Sequence, residues 1–91
     1  MSYINRTQLY IELIQEIMNN NKDIFSIDFI QHGLAGLIED NPILSKLSID
    51  GDFQVDSQLP DFDGSLDALK AFVNFLHLLL HLIMYIICLS L

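Results

Sequence analysis

The last 21 residues of this chain, residues 71–91, contain no Asp, Glu, Lys or Arg. All twelve carboxylates lie at or before Asp67, and Lys70 is the last of the four basic residues. A run of about 20 predominantly apolar residues is long enough to cross a bilayer as a helix. Such a run is not stable alone in water, so lipid or protein has to cover it. The sequence therefore predicts a small acidic helical head with a hairpin and a linker in residues 1–64, followed by a long apolar helix in residues 65–91.

The formal net charge of −8 lies N-terminal to the apolar run. The basic residues Arg6, Lys22, Lys46 and Lys70 are isolated from one another, whereas contacts to a phosphate backbone need clusters of Lys and Arg. No direct nucleic-acid partner is therefore predicted. Cys88 is the single cysteine, which excludes an internal disulfide and fits a reducing compartment.

The predicted fold class is mainly α, with about three helices near residues 7–19, 26–39 and 65–89. Ser26 is a good N-cap for the second helix, and Pro42 ends it because the residue before a proline disfavours the α region. Glycines at positions 33 and 36 of the second helix favour a close crossing with another backbone. The first helix has an apolar stripe at helical spacing, which is predicted to face the core: Tyr10, Leu13, Ile14, Ile17 and Met18.

A short β-hairpin is predicted near residues 47–55, because apolar and polar residues alternate around Asp50-Gly51. A three-residue loop over residues 50–52 would place Ile49 opposite Phe53, so that apolar side chains share one face. This register is preferred over a two-residue turn, which would mix polar and apolar partners. Residues 56–64 are acidic, contain a proline, and are predicted to form a linker.

The third predicted helix has two lines of residues at alternating spacings of three and four, which is typical of a helix that packs against another helix. The first line is apolar and is predicted to be the interaction or anchor seam: Leu66, Leu69, Val73, Leu76, Leu80, Ile83 and Ile87. The second line runs beside it: Asp67, Lys70, Asn74, His77, His81, Met84 and Cys88. Within this second line, Asn74, His77 and His81 form a polar stripe inside the uncharged run.

The first hypothesis for function is a non-enzymatic single-pass membrane protein, with the third helix as a tail anchor. The N-terminus lacks the features of a secretory signal, and Lys70 just before the span favours a cytoplasmic head. Asn74, His77 and His81 are costly against lipid, so a partner helix or a homo-oligomer is expected to cover them.

The second hypothesis is a soluble cytoplasmic interaction or oligomerisation module. A helix that is apolar on all sides can be buried inside protein as well as in a membrane. In that case the anchor seam packs against a partner helix or a second copy of the chain. A third hypothesis, an acidic decoy that occupies a basic surface, is supported by the charge but not by the apolar helix.

Few residues suggest chemistry. His77 and His81 are one turn apart, a spacing at which two imidazoles can share a metal ion. Cys88 lies about 10 Å further along the axis at about 1.5 Å per residue, so one ion cannot bind all three. Residues 61–67 resemble the middle of a calcium-binding loop, but Leu and Lys stand where such a loop has its first and last acidic ligands. The sequence predicts no metal site, no cofactor and no enzymatic activity, since it also lacks nucleophile and phosphate-loop motifs.

Overall fold

The computed structural model describes residues 5–90 of the chain. It confirms a mainly helical fold with three α-helices and a short antiparallel hairpin within this range. The observed helices begin and end within two residues of the predicted bounds. In chain order the elements are α1 (Arg6–Asn20), α2 (Ile27–Asp40), a 3-10 helix (Pro42–Lys46), β1 (Leu47–Ile49), β2 (Val55–Ser57) and α3 (Asp63–Ser90).

Short polar side chains begin the first two helices. The Asn5 side chain accepts a hydrogen bond from the Gln8 backbone N–H at 2.8 Å, and the Ser26 hydroxyl accepts one from the Phe29 N–H at 3.3 Å. These bonds satisfy backbone donors that have no partner within the helix. Pro42 then ends α2 and opens the 3-10 helix, which turns the chain towards the hairpin.

The core lies between α1, α2, the 3-10 helix, the hairpin and the first half of α3. Burial of one large apolar side chain stabilises a fold by about 1.5–3 kcal/mol. The first half of α3 is at the centre of this core, because its residues Leu69, Phe72 and Leu76 have no exposed surface. The buried apolar side chains of this cluster are Ile11, Ile14, Met18, Phe25, Ile30, Leu34, Leu44, Leu47, Ile49, Ala68, Leu69, Phe72, Val73, Leu76 and Leu79.

The buried face of α1 differs from the predicted stripe at one edge. Apolar residues make up about half of this helix, and the rest of the head covers the part centred on Ile14, which is fully buried. Ile11 is buried as well, although it lay outside the predicted stripe. Leu13 was predicted to face the core, but 44% of it is exposed.

The hairpin lies where it was predicted, but the predicted register is wrong. Ile49 pairs with Val55 and Leu47 with Ser57, so the loop has five residues, 50–54. The Asp50 carboxylate accepts hydrogen bonds from two backbone N–H groups of this loop, at 2.8 and 3.0 Å. The left-handed residue is Phe53, with φ of 64°, instead of Gly51. β2 therefore occupies the start of the segment that was predicted to be a linker.

Two glutamine side chains hold the hairpin against the helices. Gln15 of α1 donates to the Phe53 carbonyl at 2.9 Å and accepts from the Val55 N–H at 2.8 Å. Gln31 of α2 donates to the Ile49 carbonyl at 2.8 Å. A two-stranded hairpin is marginally stable by itself, so these bonds and the buried apolar side chains fix its position.

The N-terminus of α3 lies beside the N-terminus of α1. Arg6 forms an ion pair with Asp63 at 2.9 Å, and the Thr7 hydroxyl donates to the Asp61 carboxylate at 2.9 Å. Because α3 begins at Asp63, Ser65 lies inside the first turn. Its hydroxyl is fully buried and has no hydrogen-bond partner among residues 5–90, so Ser65 does not cap the helix.

We expect Gln15→Ala to lower the free energy of unfolding by about 1–3 kcal/mol, because it leaves two partly buried backbone groups of the hairpin unpaired. Urea denaturation followed by circular dichroism measures the change. Gln8→Ala, at an exposed position of the same helix, is the control and should lie within about 0.5 kcal/mol of wild type. Equal effects of the two substitutions would show that the hydrogen bonds of Gln15 do not stabilise the hairpin.

We expect Ser65→Ala to leave stability unchanged or to raise it by about 1–2 kcal/mol, because an unpaired buried hydroxyl is removed. A capping serine would show the opposite sign, with a loss of about 0.5–2 kcal/mol on replacement by alanine. The same denaturation experiment separates these outcomes. A clear loss of stability in Ser65→Ala would show that the hydroxyl has a partner in the folded chain.

Candidate interaction surface on the long helix

α3 is longer than the head that packs on it. Its 28 residues correspond to about 42 Å at about 1.5 Å per residue, within a molecule whose extents are 50 × 32 × 22 Å. Buried residues of α3 occur only between Ser65 and Leu79. From residue 81 to residue 90 every side chain is exposed except Ile83, which is half-buried. We call residues 81–90 the projecting end of α3.

The first side of α3 faces the head and contains most of the predicted anchor seam. Leu66, Leu69, Val73 and Leu76 are buried, Leu80 and Ile83 are half-buried, and Ile87 is exposed. The head therefore covers the N-terminal half of this seam and leaves its C-terminal end in water. Phe72 and Leu79, which lie beside the predicted seam, are buried against the head as well.

The second side of α3 is an exposed apolar face that sequence reasoning missed. Leu78, Leu82, Tyr85 and Leu89 are 70%, 53%, 63% and 69% exposed, and Ile86 lies next to them. Their spacing of four, three and four places them on one face of the helix. We call these five residues the outer face. The spacing could have revealed it, but a run that is apolar on all sides offers no polar residues to mark its edges.

The outer face continues into an apolar groove between α2 and α3. The rings of Phe29 and Phe75 are stacked with their centroids 6.1 Å apart, and the rings of Phe72 and Phe75 are stacked at the same centroid distance. The groove has a volume of about 180 Å³ and is open to solvent. Its lining residues are all apolar: Phe29, Phe75, Leu78, Leu79 and Leu82.

Gly33 makes the contact between α2 and Phe75 possible. A Cβ at this position would overlap the Phe75 ring, whereas a Cβ at Gly36 would meet no atom within 4 Å. The sequence predicted that both glycines allow another backbone to come close. The structure instead uses Gly33 to admit an aromatic ring and gives Gly36 no close neighbour.

The third side of α3 carries the polar stripe. Asn74, His77 and His81 are all exposed, on the side of the helix away from the buried residues. No hydrogen bond joins their side chains to another residue of the described range 5–90. The stripe is therefore a row of exposed donors and acceptors, without a partner in the described chain, on a helix that is mostly apolar beyond Lys70.

Within residues 5–90, no three side chains of His, Cys, Asp or Glu lie close enough together to hold a metal ion. His77 and His81 lie one turn apart on the surface of α3 with no third potential ligand beside them. The candidate surface on α3 is therefore an apolar one, with the polar stripe along one side.

α3 is long enough and apolar enough to cross a membrane. An 18-residue window within it has a mean hydropathy of 2.2, and only 17% of that window is buried in the head. The core helix of a soluble protein has a similar hydropathy but is mostly buried. Most residues of this apolar window are therefore left without cover by their own chain.

Comparison with protein-family models, with curated proteins and with solved structures gave no match. The function of this chain is therefore inferred from its own residues.

We expect Gly33→Ala and Gly36→Ala to differ in stability by about 1–3 kcal/mol. Alanine favours a helix by about 1 kcal/mol over glycine, so Gly36→Ala should raise stability by up to that amount. Gly33→Ala has the same helix gain but displaces the Phe75 ring from its stack, and overpacking typically costs about 1–3 kcal/mol. Thermal unfolding of the two variants in parallel tests this, and equal stability would show that the ring yields without cost.

Proposed function

We propose that this chain is a non-enzymatic membrane-attached protein, in which α3 holds an acidic helical head at the membrane. The observation that carries this proposal is the projecting end of α3, which has exposed apolar side chains on every side, although it includes His81 and Ser90 and its Ile83 is half-buried. A helical partner that packs along one seam leaves the other sides in water, whereas lipid covers all sides at once. The low burial of the apolar window in the head supports the same proposal.

The charge distribution supports this division of the chain. The projecting end has no formal charge, whereas the head carries a net charge of −8. A head of this charge stays in water and is repelled by anionic lipid, so we expect attachment to zwitterionic membranes to be stronger. Lys70 is the last charged residue before the apolar run and favours a head on the cytoplasmic side.

The head limits how deeply α3 can enter a bilayer. Residues 71–90 would extend about 30 Å at about 1.5 Å per residue, which matches the hydrocarbon core of about 30 Å. The head holds Phe72, Val73, Leu76 and Leu79 of this segment in its own core. The projecting end alone extends about 15 Å, or half of that thickness.

Full insertion and an intact head therefore compete for the same residues. When Phe72 and Leu76 exchange head contacts for lipid, their own environment stays apolar. However, the head residues packed against them, such as Ile14 and Ile30, lose their cover. Each such exposure costs about 1.5–3 kcal/mol. We infer that the intact head is attached by the projecting end, and that a complete span requires the head to open.

A soluble interaction module is the second candidate function. It is favoured by the burial of Phe72, Val73, Leu76 and Leu79, since this part of the uncharged run already behaves as the core of a water-soluble domain. In this case the outer face and the groove are covered by a partner helix or by a second copy.

We expect the full chain to float with phosphatidylcholine vesicles in a density gradient and to stay with membranes after alkaline carbonate extraction. Leu82→Asp combined with Leu89→Asp should abolish flotation. Leu89 lies near the tip of the projecting end and reaches the bilayer centre, where a carboxylate costs about 2.5–3.5 kcal/mol, and Leu82→Asp adds a second charge on the same face. Both leucines are exposed, so the head should keep its fold and its circular dichroism spectrum.

Leu9→Asp combined with Leu13→Asp is the matched control, because these leucines are exposed on α1 of the head at 55% and 44%. This variant should float as wild type does. Wild-type protein that stays at the bottom of the gradient and elutes as a defined assembly in detergent-free buffer would refute membrane attachment and support the soluble module. Equal loss of flotation in both variants would show that α3 is not the attachment element.

A further inference from the structure

We propose that the second line of α3 is a contact surface for another copy of this chain, with the two α3 helices parallel. This second seam consists of Asp67, Lys70, Asn74, His77, His81, Met84 and Cys88, and it includes the polar stripe. The parallel orientation rests on the proposed membrane attachment, because two heads on the same side of a membrane require parallel anchors.

The geometry of the second seam suits a two-stranded contact. Its residues alternate spacings of three and four from Asp67 to Cys88, over about six turns, as the contact positions of a coiled coil do. All seven are exposed, since the head covers the other side of α3. A second helix can therefore lie along the seam without displacing any core contact of the head.

The polar residues of the seam are self-complementary. An Asn amide has both donors and an acceptor, and a neutral imidazole has one of each. In a parallel pair of helices each seam residue faces its own copy, so Asn74 can bond Asn74 and His77 can bond His77 across a two-fold axis. Under the proposed attachment only His81 of the stripe lies within the projecting end, where a polar side chain against lipid is costly unless it finds such a partner. Asn74 and His77 lie nearer the head, where the same pairing adds hydrogen bonds between the two helices.

The charged residues at the aqueous end of the seam favour the parallel orientation. In a parallel pair Asp67 also faces Asp67 and Lys70 faces Lys70. Because the two residues lie one turn apart, the carboxylate of each copy can approach the ammonium group of the other and offset these like-charge contacts. An antiparallel pair would instead place both charges against the uncharged Met84 and Cys88 end of the other helix. That arrangement is unfavourable, because each charge would lose contact with water without gaining a partner of opposite charge.

Cys88 provides the test, because it is the only cysteine of the chain and lies at the far end of the seam. A disulfide needs Cα atoms within about 4.4–6.8 Å, a distance that facing positions of a parallel helix pair satisfy. We expect oxidation with copper phenanthroline to convert most of the full chain in phosphatidylcholine vesicles to a disulfide-linked dimer. Non-reducing electrophoresis measures the linked fraction.

The matched control moves the cysteine by two residues, with Cys88→Ser and Ile86→Cys in the same chain. Residue 86 lies at nearly the same depth but about 160° around the helix, at 100° per residue. We expect at least a fivefold lower linked fraction for this control. Equal linking at the two positions, or none at Cys88, would overturn the proposed dimer.

A charge exchange tests the orientation. Lys70→Asp should lower the Cys88-linked fraction several-fold, because four carboxylates then meet at one end, and Asp67→Lys combined with Lys70→Asp should restore it. No effect of either variant would overturn the parallel register. Flotation of the same samples separates the two proposals. Protein that floats but forms no disulfide-linked dimer refutes the dimer alone. Protein that does not float refutes membrane attachment, and disulfide linking in vesicle-free buffer then tests the seam in solution.

Discussion

One helix serves both as the centre of the head and as the element that leaves it. Leu69, Phe72 and Leu76 of α3 have no exposed surface, and α1, α2 and the hairpin form a core by packing around this half of the helix. The same helix continues beyond the head with apolar residues on every side. Because a helix is a stiff connection, whatever environment receives the projecting end also fixes the position of the head relative to it.

Because the first half of α3 belongs to the core of the head, its packing there competes with its insertion into a bilayer. Lipid and protein cores are both apolar, so the buried side chains of α3 gain little by moving from the head into a bilayer. The side chains of α1 and α2 that cover them would be transferred to water, at about 1.5–3 kcal/mol each. Small domains have total stabilities of about 5–15 kcal/mol, so a few such exposures amount to unfolding the head. If α3 is inserted in a bilayer as proposed, the packing of the head therefore opposes deeper insertion.

The features that could be predicted from the sequence are those with a strong local signal. Helical periodicity, the Ser26 cap and Pro42 located the helices, and the uncharged run identified α3 as the element that needs cover. The hairpin register could not be predicted, because it depends on hydrogen bonds from Gln15, far away in the chain, and on the left-handed conformation of Phe53, which a non-glycine residue rarely adopts. The groove depends on the same kind of long-range contact, between α2 and α3.

Apolar periodicity alone also could not divide α3 into its sides, because apolar residues occur on every side of its second half. The division comes from the head, which covers one side, and from the polar stripe of Asn74, His77 and His81, which marks another. Lipid can cover the apolar outer face but offers no hydrogen-bond partners to the polar stripe. A second copy of the chain can offer those partners to the stripe and leaves the outer face to the lipid. In the proposed arrangement the two coverings are complementary: a parallel pair of α3 helices bonds the stripe residues to their own copies, His81 of the projecting end among them, and still presents its outer faces to the hydrocarbon.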